Sequence, residues 1–379
     1  MTFVIICLDG FRYDYLAKTK FLKKLASENT SGQLYHGFGY ASEFSAITGK
    51  NVEQLGIIAN NFIYTEKGMK FFKFFSFLDS LKSERIRLML NVIYNSKEFL
   101  IGNKQPKSIF QVPLSISNKF EFLLKKNFFL PNSLKSETIF DIFREKKLEV
   151  SAYMWPFIYE NNKTRLDLRN LGQSTADTDD RAFQKSIQLL EKRPDVCYIH
   201  FFSTDNLVHR LGVNSKETLN LIKKLDHFVE NISRYADKLL IFSDHGMTDV
   251  KETINIKKDI GSLNFKLGKD YLMFLDSTLA RFWFYNREAE SKITQLLSKS
   301  KKGKIVNFKN PEIHNKFGKL IFQLNPGIII LPNFYQSKPD KSTHGYSDSF
   351  KDERGMYINC NGKKKRTDLK MSELFKLMT

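Results

Sequence analysis

Cysteine is scarce in this chain of 379 residues: Cys7, Cys197 and Cys360 are the only three, and no two have CxxC spacing. An odd number without that spacing excludes a disulfide framework and a cysteine zinc site, and the apolar neighbours of each predict buried, reduced thiols. Long apolar runs are missing as well. No stretch approaches the roughly 20 residues that span a bilayer. The segment Met1–Leu8 runs into Asp9 with neither a basic leader nor a small-residue cleavage site, so no signal peptide is expected and the cytoplasm is the default location. Internal repeats and nucleic-acid recognition motifs are absent.

Positive charge and phenylalanine are abundant. The net charge is +19, with 35 Phe and an ordinary apolar fraction of 42%. Such a charge favours an anionic partner: phosphate esters, nucleic acid or an acidic membrane surface. Lys, Phe, Ile and Asn are enriched together, however, as coding bias alone would produce, so charge by itself names no partner.

The apolar pattern predicts a layered α/β fold. Residues 3–8, 196–202, 239–242 and 327–331 are short, continuously apolar and rich in β-branched side chains, as buried strands are. Between them lie helical patterns at 180–192, with Thr178 and Asp179 as cap candidates, and at 215–235. In the second, Leu219, Ile222, Leu225, Val229 and Ile232 form one stripe. Strands of this kind alternating with amphipathic helices imply a mostly parallel central sheet flanked by helices on both faces. We expect one catalytic domain over 1–379 with two additions. Residues 62–135, rich in Phe and Lys, break the alternation and read as an inserted cap over the site, either a substrate cover or membrane-contacting surface or a small helical unit with its own core. Residues 265–325 read as a small α+β subdomain, with strands at 271–274 and 281–284 and a helix at 288–299. The run Lys363–Arg366 reads as a solvated loop before a final helix near 371–378.

Ligands of open α/β sheets collect beyond the carboxyl ends of the strands. Asp9, Asp205 and the pair Asp244-His245 each follow a strand run within a few residues, and so converge on one edge. Asp205 and His209, at i and i+4, share a face if helical. Asp244 and His245 can reach one cavity only where the strand ends and turns, which Gly246 permits. His344 lies in a polar loop with no evident structural task. Carboxylate and imidazole together suit zinc and similar divalent metals. His36, His200, His227 and His314 have no such partners and read as structural.

The order of these motifs resembles the alkaline phosphatase superfamily, in its type I phosphodiesterase/nucleotide pyrophosphatase branch. The resemblance rests on Leu8–Leu16, Thr48-Gly49 with Gly56-Ile57 and Asn60, Thr138–Phe143 with Trp155-Pro156, Asp205–His209 with Gly212, Ser243–Met247, and Thr343–Tyr346. It spans residues 3 to about 360 and leaves 62–135 unmatched. It implies two divalent ions, zinc or else manganese, about 4 Å apart. One would be held by Asp205, His209 and His344, the other by Asp9, Asp244, His245 and the nucleophile's oxygen. Asn60 would donate to a phosphoryl oxygen, and the substrate would be a nucleotide, sugar phosphate or lipid headgroup ester.

The chain departs from the pattern at the nucleophile. Counting back from Thr48-Gly49 without a gap, the hydroxyl position falls on Gly39. A short deletion brings Ser42 into place, with Ser45 as the alternative and metal-bound water as a third. The same residues would also serve a phosphoryl-headgroup transferase or a non-catalytic phosphate-binding descendant.

Overall fold

The computed structural model describes residues 1–59, 62–66, 68–81, 83–100, 109–122, 129, 131, 134–154, 157–160, 163–167 and 175–379. Asn60 and Trp155-Pro156 lie outside the described residues.

Among the described residues, a ten-stranded sheet forms the centre. Its middle is parallel: Phe3–Leu8 lies between Val196–Phe201 and Lys238–Phe242, and Val150–Met154 pairs with the outer side of Val196–Phe201. Antiparallel strands extend both sides, and on one side the short strands Lys365–Arg366 and Leu369–Lys370 then pair in parallel with Thr30–Tyr35. Gly355–Asn359 and Thr30–Tyr35 follow Lys238–Phe242, while Phe157–Glu160 and Lys163–Leu166 follow Val150–Met154. The expected mostly parallel α/β sheet is therefore present at the core, with antiparallel additions.

Strand alternation separates two hydrophobic layers. Val4, Ile6 and Leu8 face one cluster, which includes Ile222, Leu225, Val229 and Ile232 from the helix Lys216–Ser233. Ile5 and Cys7 face the other, built from the helices Ser42–Thr48 and Ile139–Glu145 and the C-terminal segment. Both layers are buried because apolar residues flank every strand position, as a sheet covered on two faces requires.

A second sheet, wholly antiparallel, runs in the order Tyr271–Leu275, Leu279–Phe284, Leu320–Leu324, Gly303–Val306. The described part of 62–135 packs largely on it: Phe62, Phe72, Leu114 and Phe120 share one core with Phe274, Phe282 and Trp283. Phe129 and Leu134 instead join the main-sheet cluster.

Three expectations need correction. Residues 328–330 form a strand, but it pairs in parallel with Glu252–Ile254 in a separate two-stranded sheet. Its apolar run satisfies the second core rather than the central sheet. Lys365–Arg366 is an exposed edge strand pairing with Thr30–Tyr35 rather than a free loop. Thr178 and Asp179 are not caps, because the helix already begins at Thr175.

Asp179 does something more useful to the site. It is fully buried, and its carboxylate accepts from the backbone N–H of Phe202 and Ser203 at 3.1 Å each. Those donors open the helix Ser203–Leu211, which carries Asp205 and His209. An acceptor here satisfies N–H groups that the helix leaves unpaired. Asp179→Ala should lower unfolding stability by about 1–3 kcal/mol. Asp179→Asn, which keeps an acceptor oxygen, should recover part of that in urea unfolding.

Candidate metal centre

The three central strands end level with one another. Leu8 is in register with Phe201, and Cys7 with Phe242. The residues just beyond them meet at one edge. Asp9 follows its strand directly, and its backbone N–H donates to Phe201 O at 2.9 Å. The loop from Asp244 is held by Gly10 N–H, which donates to Asp244 Oδ1 at 3.1 Å, and by Ser243 Oγ–H, which donates to Phe11 O at 2.6 Å. Arg12 ties the same loop from below, donating to Met247 O at 2.9 Å while pairing with Asp352 at 3.0 Å. The His344 loop is anchored by buried Glu353, whose Oε2 accepts from Gly345 and Tyr346 N–H at 3.0 Å each.

Gly246 is required for a reason other than the turn expected of it. It does not adopt a left-handed φ; instead a Cβ there would lie 2.1 Å from Asp352 O. Close approach of two backbones, not conformational freedom, demands glycine.

The side chains so positioned converge on one atom. Asp205 Oδ1 is buried and accepts no hydrogen bond. Around it stand three imidazole nitrogens: Nε2 of His209 at 3.3 Å, of His344 at 3.7 Å and of His245 at 3.9 Å. His245 Nε2 also lies 3.5 Å from Asp9 Oδ1 and 3.3 Å from Asp244 Oδ2. The His245 and His344 rings stack with centroids 3.7 Å apart.

Tautomers sharpen the picture. His209 Nδ1 lies 2.8 Å from Ser342 O, and His245 Nδ1 lies 2.8 Å from Gly246 O. A carbonyl can only accept, so each Nδ1 carries a proton, and in the neutral ring each Nε2 is the lone-pair donor. Metal-ligating histidines are commonly oriented by such an outer hydrogen bond.

The electrostatics ask for a cation. Burial raises the Asp9 carboxyl well above the usual range, and the charges of Asp244, Asp205 and Glu43 raise it further. Burial likewise pushes Glu43 up to about 8, with Asp244 and Asp205 adding to the shift. Burial lowers His209, but Asp205 and Asp340 more than offset that and carry it to about 10. Burial also opposes ionisation of Asp205, yet the neighbouring histidines hold its carboxyl below the ordinary range. Crowded carboxylates, an orphaned oxygen and convergent Nε2 atoms together fit divalent cations. Among the described residues, three ligand groups meet here: Asp205, His209, His344; Asp9, Asp205, His245; and Asp9, Glu43, His200.

The type I phosphodiesterase/nucleotide pyrophosphatase profile matches residues 3–347. The chain belongs to that family. Among solved structures it is similar to human ectonucleotide pyrophosphatase/phosphodiesterase 5, at 17% identity and TM-score 0.66, covering 100% of this chain and 94% of that one. It is equally similar to the murine protein of that name, at 15% identity and TM-score 0.66, covering 100% and 94%. An inactive threonine-to-alanine variant of the murine protein in complex with AMP matches at 16% identity and TM-score 0.66, covering 99% and 93%. No curated protein matches in sequence.

Of the residues the family resemblance names, Asp205, His209 and His344 meet as one group, whereas Asp9 and His245 group with Asp205 rather than with Asp244, whose Oδ2 lies 3.3 Å from His245 Nε2. Ser42 is the buried first residue of its helix, with Ala41 rather than Ser42 at the cap position. Two further residues join the centre without having been singled out. His200 Nε2 lies 3.2 Å from Asp9 Oδ2 and 3.8 Å from Glu43 Oε1. His200 has no ligand partner near it in sequence, and the structural role expected of it needs correction. Its register with Cys7, two residues before Asp9, places it on Asp9's side of the sheet.

Cation binding should release protons at neutral pH, because groups raised above 7 in the metal-free protein must give up protons to coordinate. Calorimetric titration with zinc in buffers of different ionisation enthalpy should show that release, with affinity rising as pH rises. Asp205→Ala should lose the binding.

Proposed function

We propose that this family member is a two-metal hydrolase of phosphate esters, diesters above monoesters, acting through a phosphoserine at Ser42. The observation that carries this reading is the convergence of three Nε2 atoms on the unpartnered Asp205 Oδ1, beside Asp9 and Asp244.

Zinc suits the mixed imidazole and carboxylate donors, and manganese is the second candidate. One ion would be held by Asp205, His209 and His344, the other by Asp9, Asp244 and His245 with Ser42 Oγ. Ions bound there would offset charge developing on the phosphoryl oxygens and favour the ionised hydroxyl.

Ser42 is favoured as nucleophile by its surroundings. Position 39, where the family's hydroxyl falls without a gap, admits no side chain: Gly39 has φ +78°, and a Cβ would sit 2.1 Å from Ile58 O. Ser45 lines a cavity with Tyr35, His36, Asn51 and Lys370, which includes none of the six metal-ligand candidates. The residue after Ser42, Glu43, reaches His200 and the Asp9 group. In the proposed reaction Ser42 Oγ bonds to phosphorus as the bond to the leaving alcohol breaks, and the hydroxyl proton departs with the alcohol. Water then cleaves the Oγ–P bond and restores the hydroxyl. Asn60 would donate to a phosphoryl oxygen, where charge develops. The AMP complex of the murine relative supports nucleotides as the first substrates to test.

Gly39 also supports a second reading, a phosphate-binding descendant without turnover. Hydrolysis of bis-p-nitrophenyl phosphate and p-nitrophenyl phosphate with zinc or manganese separates the two. We expect metal-dependent activity, faster on the diester and reduced at least about a thousandfold by Ser42→Ala or Asp244→Ala. Full activity in Ser42→Ala would move the nucleophile elsewhere. No activity in the metal-loaded wild type, with ions bound, would favour the descendant.

A further inference from the structure

The insertion carries a surface that the proposed chemistry does not use. Seven of the eleven exposed large hydrophobic side chains among the described residues lie between positions 74 and 93. Phe74, Phe77 and Leu88 are 77%, 70% and 65% exposed, and Met89, Val92 and Ile93 are exposed as well. Four of them lie on the helix Glu84–Leu100, and Phe74, Phe77 and Leu81 lie on the short helical segments that precede it. Leu88, Met89, Val92 and Ile93 follow the i, i+1, i+4, i+5 spacing that lines one helical face. Its other face is already occupied: Leu90 is fully buried, Tyr94 packs on Phe71 and Phe72, and Arg87 donates to Phe110 O and Val112 O. The outward apolar face is thus additional to what the core needs. Monomeric proteins seldom expose such a concentration without a partner.

Charge selects the partner. Residues 62–135 contain thirteen Lys and Arg against five Asp and Glu, in a chain of net charge +19. Lys73 and Arg85 are exposed alongside the apolar side chains. A second copy of the chain would bring the same positive charge and be repelled, whereas an anionic lipid surface would be attracted. An amphipathic helix with large apolar side chains and basic neighbours is the arrangement that lies in a membrane interface. We propose that the face formed by Phe74, Phe77 and the outer side of Glu84–Leu100 docks the protein on an anionic membrane surface. The apolar side chains enter the acyl boundary while Lys73 and Arg85 stay at the headgroups. No helix among the described residues is long and apolar enough to cross a membrane, and peripheral docking requires none.

Co-sedimentation with phosphatidylcholine vesicles, with and without phosphatidylserine, tests this. The wild type should bind the phosphatidylserine vesicles and release at high salt. Phe74→Gln with Phe77→Gln, and separately Leu88→Gln with Val92→Gln, should each weaken binding by about tenfold or more. Lys73→Glu with Arg85→Glu should weaken it by about fivefold or more per site. All three should keep the wild-type melting temperature and hydrolysis of bis-p-nitrophenyl phosphate. Absence of wild-type binding, equal binding by the variants, or light scattering showing a dimer that the Gln variants dissolve would overturn the proposal. The binding readout does not depend on turnover, so it stands or falls separately from the assigned activity.

Discussion

A buried carboxylate oxygen with no hydrogen bond, ringed by three imidazole nitrogens, is the constraint on which the rest of this architecture depends. Asp205 Oδ1 sits in that position. Leaving a buried charge unpaired costs several kcal/mol, and here Asp9, Glu43 and Asp244 crowd the same space. Pairing Asp205 with a proton on His209 relieves only part of this, because Asp9, Asp244 and Glu43 still crowd one another in the same buried space. Divalent cations bound there would offset these charges together.

Much of the surrounding structure serves to hold these groups against their mutual repulsion. Asp179 seats the helix bearing Asp205 and His209, Arg12 binds the loop after Asp244, and Glu353 gathers the His344 loop. None of the three belongs to the proposed ligand set, yet each holds in place a segment that bears one of its members. The parallel strands supply the common edge, and these polar contacts aim the side chains that leave it.

Much of this was legible in the sequence where one physical signal dominated. The strands at 3–8, 196–201 and 238–242 are apolar on both faces because both faces are covered, and the acidic residues just beyond them mark the site edge. The stripe on Lys216–Ser233 was readable for the same reason: its helical period matches its burial. Reading failed where an apolar run could serve either of two cores, as at 328–330, and where a backbone clash rather than a turn demanded glycine, as at Gly246. His200 and Glu43 stayed hidden because their role depends on strand register and on a helix start, neither of which composition reveals. Asp179 looked like a cap for its own helix and instead caps the next.

The central claim is that Asp205 lies between two ion positions. Anomalous diffraction at the zinc absorption edge, from crystals soaked in zinc, tests it most directly. The account predicts two peaks, one bounded by Asp205, His209 and His344 and the other by Asp9, Asp244 and His245. No peak within coordination distance of Asp205 would contradict it.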